Sequence, residues 1–125
     1  MLRGMAEHLT PRQVDIAALE GYSHMDGVLS HAATDPIYTE PCVLDRSASR
    51  GPTWAVFADT VGGTATIQVY IGGAWRDTGL TFPVTAGIVD TYDCERLLRA
   101  SRLKFVPASS SSSEFYWEFK AQVTI

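Results

Sequence analysis

The stretch Glu114-Phe115-Tyr116-Trp117-Glu118-Phe119-Lys120-Ala121-Gln122-Val123-Thr124-Ile125 alternates without interruption. Phe115, Trp117, Phe119, Ala121, Val123 and Ile125 take one side, and Glu114, Tyr116, Glu118, Lys120, Gln122 and Thr124 take the other. Successive side chains of a strand point to opposite faces and only one face meets a core, so this pattern predicts a half-buried β-strand. Its three leading aromatic residues make it the expected centrepiece of the fold. The chain is expected to end inside its own core, with no tail left for targeting.

Working backwards, Ser109 to Ser113 is a pure serine run and predicts a flexible, solvent-exposed loop. Before it, residues 96 to 106 carry Leu97, Leu98, Ala100, Leu103 and Phe105, a set that fits a helix, yet Arg102-Leu103-Lys104-Phe105-Val106 alternates and Pro107 closes it. A strand over 99 to 106, with a bulge or bend near Ser101, is the reading that supplies a partner for the final strand. Ala65, Ile67, Val69 and Ile71 alternate with Thr66, Gln68 and Tyr70 in another strand. Gly72-Gly73 then predicts a two-residue hairpin, since consecutive glycines accept the positive φ angles of primed turns, and Trp75 to Thr78 should pair back. Trp54 to Ala58, Gly79 to Phe82 and Gly87 to Thr91 read as further short strands.

The front of the chain differs. Thr10, Pro11 and Gln13 form an N-cap, a first-turn proline and a capping box, while Leu9 and Val14 have the spacing of a hydrophobic staple. A short helix is predicted over 11 to 20, carrying Val14 and Leu19 and ended by Gly21. From Gly21 to Arg50 periodicity dissolves among turn residues and isolated Met25, Val28, Leu29, Ile37 and Tyr38. This reads as an extended arm, with a first short strand at Cys42-Val43-Leu44. The expected division is therefore residues 1–50, a helix and extended arm, and residues 51–125, an all-β antiparallel β-sandwich of jelly-roll or immunoglobulin-like type.

At 125 residues the chain suits one folding unit with a core of its own. Its 19% of charged residues falls below the usual quarter of soluble proteins, which suits a surface partly covered by a partner. A net charge of −4 repels phosphate, so nucleic acid is not an expected partner. No apolar run approaches the ~20 residues that cross a bilayer, and Met1 to His8 does not resemble a secretion signal, so no membrane partner is expected and folding is expected in a cytoplasm. Cys42 and Cys94 are expected to be small buried hydrophobes rather than a disulfide.

Chemistry is sparse. His8, His24 and His31 with Asp26 and Asp35 lack the tight spacing of a zinc site and read as solvated arm residues. Asp90, Asp93 and Glu95 lack the ligand series of a calcium loop. No Gly-x-Ser-x-Gly elbow surrounds a serine, and Cys94 sits between Asp93 and Glu95, which would raise its pKa. Gly62-Gly63 and Gly72-Gly73 lead no helix and lack the Lys-Ser/Thr ending of a phosphate loop. Neither an enzyme nor a cofactor is expected. Arg96, Arg99, Arg102 and Lys104 concentrate positive charge that suits an acidic partner or simply discourages edge pairing. Among the aromatic residues, Trp117 has inward parity, whereas Tyr70 and Tyr116 have outward parity and are candidate contact residues. With Val14, Leu19, Met25, Val28, Leu29, Ile37 and Tyr38 of the arm and helix, they make up the candidate partner-binding set.

The strand Gly62-Gly63-Thr64-Ala65-Thr66-Ile67-Gln68-Val69 is followed by Ala74-Trp75-Arg76-Asp77 after a turn, a glycine-led strand near 87, Arg102-Leu103-Lys104-Phe105 and the aromatic final strand. In this order the chain from Gly63 to Val123 resembles small β-sandwich virion proteins of tailed bacteriophages. The resemblance implies a non-catalytic virion structural protein assembled in the host cytoplasm, most of all a capsid decoration or cement protein. Its implied partners are the major capsid protein or other virion proteins, with the N-terminal arm as clasp and a homo-oligomer, dimer or trimer, as the assembled form. The alternative is a carbohydrate-binding or structural module of a phage tail or tail fibre, contacting sugar through Tyr70 or Trp75.

Overall fold

The computed structural model describes residues 22–43, 51–94 and 100–122. Nine strands occur among them: β1 (Tyr22–His31), β2 (Ile37–Tyr38), β3 (Cys42–Val43), β4 (Thr53–Ala58), β5 (Gly63–Ile71), β6 (Ala74–Val84), β7 (Val89–Asp93), β8 (Ala100–Pro107) and β9 (Ser113–Gln122). They form two antiparallel sheets. The first has the order β1-β9-β4-β7; the second runs β2-β8-β5-β6, with β3 also paired to β8. No helix is present among the described residues, and none there is long and apolar enough to cross a membrane. The predicted helix over 11 to 20 lies outside the described residues, as do Val14, Leu19 and His8.

Over residues 114–120 the alternation of the final strand is realised as expected: Phe115, Trp117 and Phe119 are buried while Tyr116 and Lys120 face solvent; Val123, Thr124 and Ile125 lie outside the described residues. This strand lies inside its sheet, flanked by β1 and β4. Its buried rings meet others both across the core and within their own sheet. Phe115 stacks on Phe105 of β8 with centroids 4.2 Å apart, and Trp117 and Phe119 both pack on Trp54 of β4. Phe82 of β6 stacks on Tyr92 of β7 at 5.1 Å, a second aromatic link between sheets. Val56, Ala58, Ala65, Ile67, Val84, Leu103 and both cysteines complete one core shared by the two layers, the arrangement of a β-sandwich. Cys42 and Cys94 are buried and not joined by a disulfide.

The Gly72-Gly73 turn is as predicted, with φ of +67° and +82° connecting Ile71 to its partner Ala74. Five other expectations are corrected. The extended arm expected from Gly21 to Arg50 is, over its described residues 22–43, built into the sheets. Tyr22 to His31 pairs residue for residue with Gln122 to Ser113, and Met25, Leu29 and Ile37 pack against the core because strand alternation turns them inward. The two strands expected at 75–78 and 79–82 are one, β6, which passes through Gly79 at φ +86°. There Thr78, Gly79 and Leu80 face the single residue Ile67 of β5, so the irregularity lies at Thr66–Gln68 and not near Ser101. Thr78 Oγ1 secures this bulge by donating to the Ile67 carbonyl (2.8 Å) and accepting from the Leu80 amide (3.1 Å).

β8 is a strand, as read, but it pairs with β5, β2 and β3 and not with β9. The serine run between β8 and β9 therefore crosses from one sheet to the other. It is not uniformly exposed either. Ser113 is buried, and its Oγ accepts hydrogen bonds from the backbone amides of Thr60 and Val61, each at 3.0 Å, because those amides have no strand partner at the turn after β4.

Candidate functional site

On the outer face of the first sheet, strand register places side chains in rows that run across the strands. Val28 lies opposite Tyr116, Tyr116 opposite Phe57, and Phe57 opposite Val89. These four residues form an apolar row that spans β1, β9, β4 and β7. Val28 is 44% exposed, Tyr116 43% and Val89 63%, with Ile88 beside it at 53%. The Phe57 and Tyr116 rings are 6.1 Å apart and tilted by 49°. A shallow depression of about 550 Å³ runs along the row, edged by Asp26, Ala55 and Glu118.

Polar groups border the row on both sides. The Tyr116 hydroxyl donates to Glu114 Oε1 at 2.7 Å, and Ser30 Oγ donates to the other oxygen of that carboxylate at 3.3 Å. The Glu114 carboxylate also pushes the Tyr116 phenol above its ordinary pKa, first through this hydrogen bond and then through its charge. On the other flank His24 Nε2 meets Glu118 Oε2 at 2.8 Å and Asp26 at 3.9 Å. The row is thus an apolar strip between two fringes bearing carboxylates.

The outer face of the second sheet is organised differently. The Arg102 guanidinium lies 4.2 Å from the Tyr38 ring centroid and 4.5 Å from that of Trp75, held between two aromatic faces. Tyr70 meets Trp75 edge-on at 5.4 Å and remains 54% exposed. Arg102 Nε donates to Gln68 Oε1 (2.9 Å), Gln68 Nε2 donates to Asp77 Oδ1 (2.7 Å) and Lys104 Nζ donates to Asp77 Oδ2 (3.0 Å). These bonds hold the Asp77 carboxyl below the ordinary carboxylate range, the Gln68 bond contributing most. Arg102 and Lys104 do share an outer face, as the alternation predicts, but they are engaged with their own sheet. Arg96 and Arg99 lie outside the described residues.

Among the candidate contact residues, Val28, Tyr38, Tyr70 and Tyr116 are exposed, whereas Met25, Leu29 and Ile37 are committed to the core. The structure brings Val28 and Tyr116 together in one row; Tyr38 and Tyr70 flank the Arg102–Trp75 pair on the opposite sheet. Phe57 and Val89 were not singled out by the sequence, because only long-range pairing sets them beside Tyr116. Among the described residues no three His, Cys, Asp or Glu side chains are grouped to hold a metal ion. His31 is turned inward, its ring 5.9 Å from Phe105 and its nitrogens without a hydrogen-bond partner among the described residues.

No protein-family model matches this chain, and no curated protein matches it. Among solved structures it is similar to a chain from work on Bacillus endospore appendages, described there as a novel family of disulfide-linked pili. The two are 17% identical with a TM-score of 0.44, over 82% of this chain and 89% of that one. A likeness at this level decides neither fold nor function.

Proposed function

We propose that this protein is a non-catalytic structural subunit that docks on a larger protein assembly through the outer face of its first sheet. In its specific form the proposal is a bacteriophage capsid decoration protein, a jelly-roll or immunoglobulin-like sandwich seated on the major capsid protein. The observation that carries the docking role is the Val28–Tyr116–Phe57–Val89 row, an apolar strip across four strands on a face that elsewhere bears His24, Asp26, Glu114, Glu118 and Lys120. Contiguous apolar surface with a polar border supports a protein partner, and Tyr is among the residues that carry contact energy. The virion assignment draws its support from the strand rhythm of residues 63 to 123. The glycan-binding alternative is less well supported, since one face of Trp75 is occupied by Arg102 and leaves Tyr70 as the open ring.

The test is incorporation into particles. Quantitative mass spectrometry of purified virions should find hundreds of copies; a handful would move the protein to the tail, and none would overturn the virion reading. Val28→Asp combined with Tyr116→Ser should leave the fold intact and abolish incorporation. A truncation that tests the N-terminal segment must stop at Gly21, because removal of residues 1 to 40 would strip β1 and β2 from the sheets.

A further inference from the structure

We propose that β1 is a self-association edge, and that two copies pair antiparallel through it about a two-fold axis at Val28, joining their first sheets into one of eight strands. The inference deepens the docking reading by naming the contact between sister copies. Its starting point is a comparison of the sheet edges. An open edge offers unpaired amides and carbonyls to another chain, and proteins protect such edges with short strands, proline, lysine or bulges.

Three of the edges here are protected in those ways. β7 is five residues long and carries Asp90 and Asp93; β2 and β3 are two residues each. β6 carries Pro83 and the Gly79 bulge. β1 has only the single charge of Asp26. It is ten residues long, contains neither Pro nor Lys, and follows β9 from Tyr22 to His31 without a register shift. Its far side has no partner strand among the described residues.

Charge and hydrophobicity then select the register. A two-fold axis at Asp26 would set two carboxylates directly opposite each other, which destabilises a pair. An axis at Val28 sets Val28 against the second copy's Val28 and Asp26 against the second copy's Ser30, an uncharged side chain in place of a second carboxylate. This register also joins the two apolar rows end to end across the dyad. The resulting strip runs over eight strands, from Val89 of one copy to Val89 of the other, and stays on the outer face. Isologous pairing of this kind uses β1 of both copies and closes at two, leaving only the two β7 edges.

The proposal is tested on the isolated protein, so its failure is distinguishable from failure to join particles. Light scattering during size-exclusion chromatography should give twice the chain mass, and Val28→Lys should give the chain mass with an unchanged far-UV circular dichroism spectrum. Residues directly opposite in an antiparallel pair have Cα atoms about 4.5–5.5 Å apart, within disulfide reach. Val28→Cys should therefore form a disulfide-linked dimer on mild oxidation, and Asp26→Cys should cross-link with Ser30→Cys but not with itself. The cross-links decide the matter even where Val28→Lys fails to fold. A monomer at all accessible concentrations overturns the proposal, and so does a dimer in which Val28→Cys stays reduced, whether another edge or residues 1–21 cover β1.

Discussion

Gly27 of β1 lies opposite Trp117 of β9, and a β-carbon at position 27 would stand 2.9 Å from the indole ring. The ring occupies the volume that a side chain would need. Gly27→Ala should destabilise the protein by about 1–3 kcal/mol in urea unfolding through overpacking of a buried aromatic residue. Gly27→Val should cost more. Trp117→Phe should recover part of the loss in the double variant, and additive losses would show that the two positions do not compete for space.

Ser113 should behave unlike the other serines of its run. Its hydroxyl accepts from two backbone amides, one of them that of buried Val61, so Ser113→Ala leaves both donors without an acceptor. The expected cost is about 1–3 kcal/mol. Ser110→Ala, at an exposed position, should change the unfolding midpoint by less than about 0.5 kcal/mol equivalent.

Asp77 should contribute an acid-sensitive increment. The hydrogen bonds from Gln68 and Lys104 depress its folded-state pKa below the ordinary value of 3.8. The associated stability is present above that value and is lost as pH falls through the lower folded-state pKa. Asp77→Asn removes the titration. Wild type and variant should therefore differ near neutral pH and converge as unfolding is measured at successively lower pH below 3.8.

Cys42 should be chemically silent in the folded protein. Burial first, and the nearby Glu40 charge second, push its thiol well above the ordinary 9.0, and only thiolate reacts with disulfide reagents. Labelling of native protein at mildly alkaline pH should be slow at Cys42 and buried Cys94, and should accelerate only with denaturant at the global unfolding transition. Mass should be unchanged by reductant.

Where the sequence was legible, a local signal coincided with a local cause. The period of two in β9 and the positive-φ glycines of the β5–β6 hairpin can be read without any neighbour. β1 was missed because its inward positions read Met25, Gly27, Leu29: the glycine breaks the apolar alternation, and the missing bulk is supplied by Trp117 from ninety positions away. β6 was divided in two because Gly79 resembles a turn and serves as a bulge. The partner of β8 was misassigned because consecutive strands need not pair, and nothing in Arg102 to Phe105 states which strand lies alongside. Tyr116 was found by parity alone, but the row it belongs to exists only through cross-strand register.

The position of β9 between β1 and β4 also governs the order in which the protein can form. Those earlier strands have no pairing with each other and are joined only through the last one, so contacts such as His24 with Glu118, 94 positions apart, must close before the first sheet exists. Large loop closures of this kind slow folding. The second sheet, with its β5–β6 hairpin, is free to assemble earlier. The complete apolar row thus requires β9 to be in place, and a nascent chain cannot present it before then.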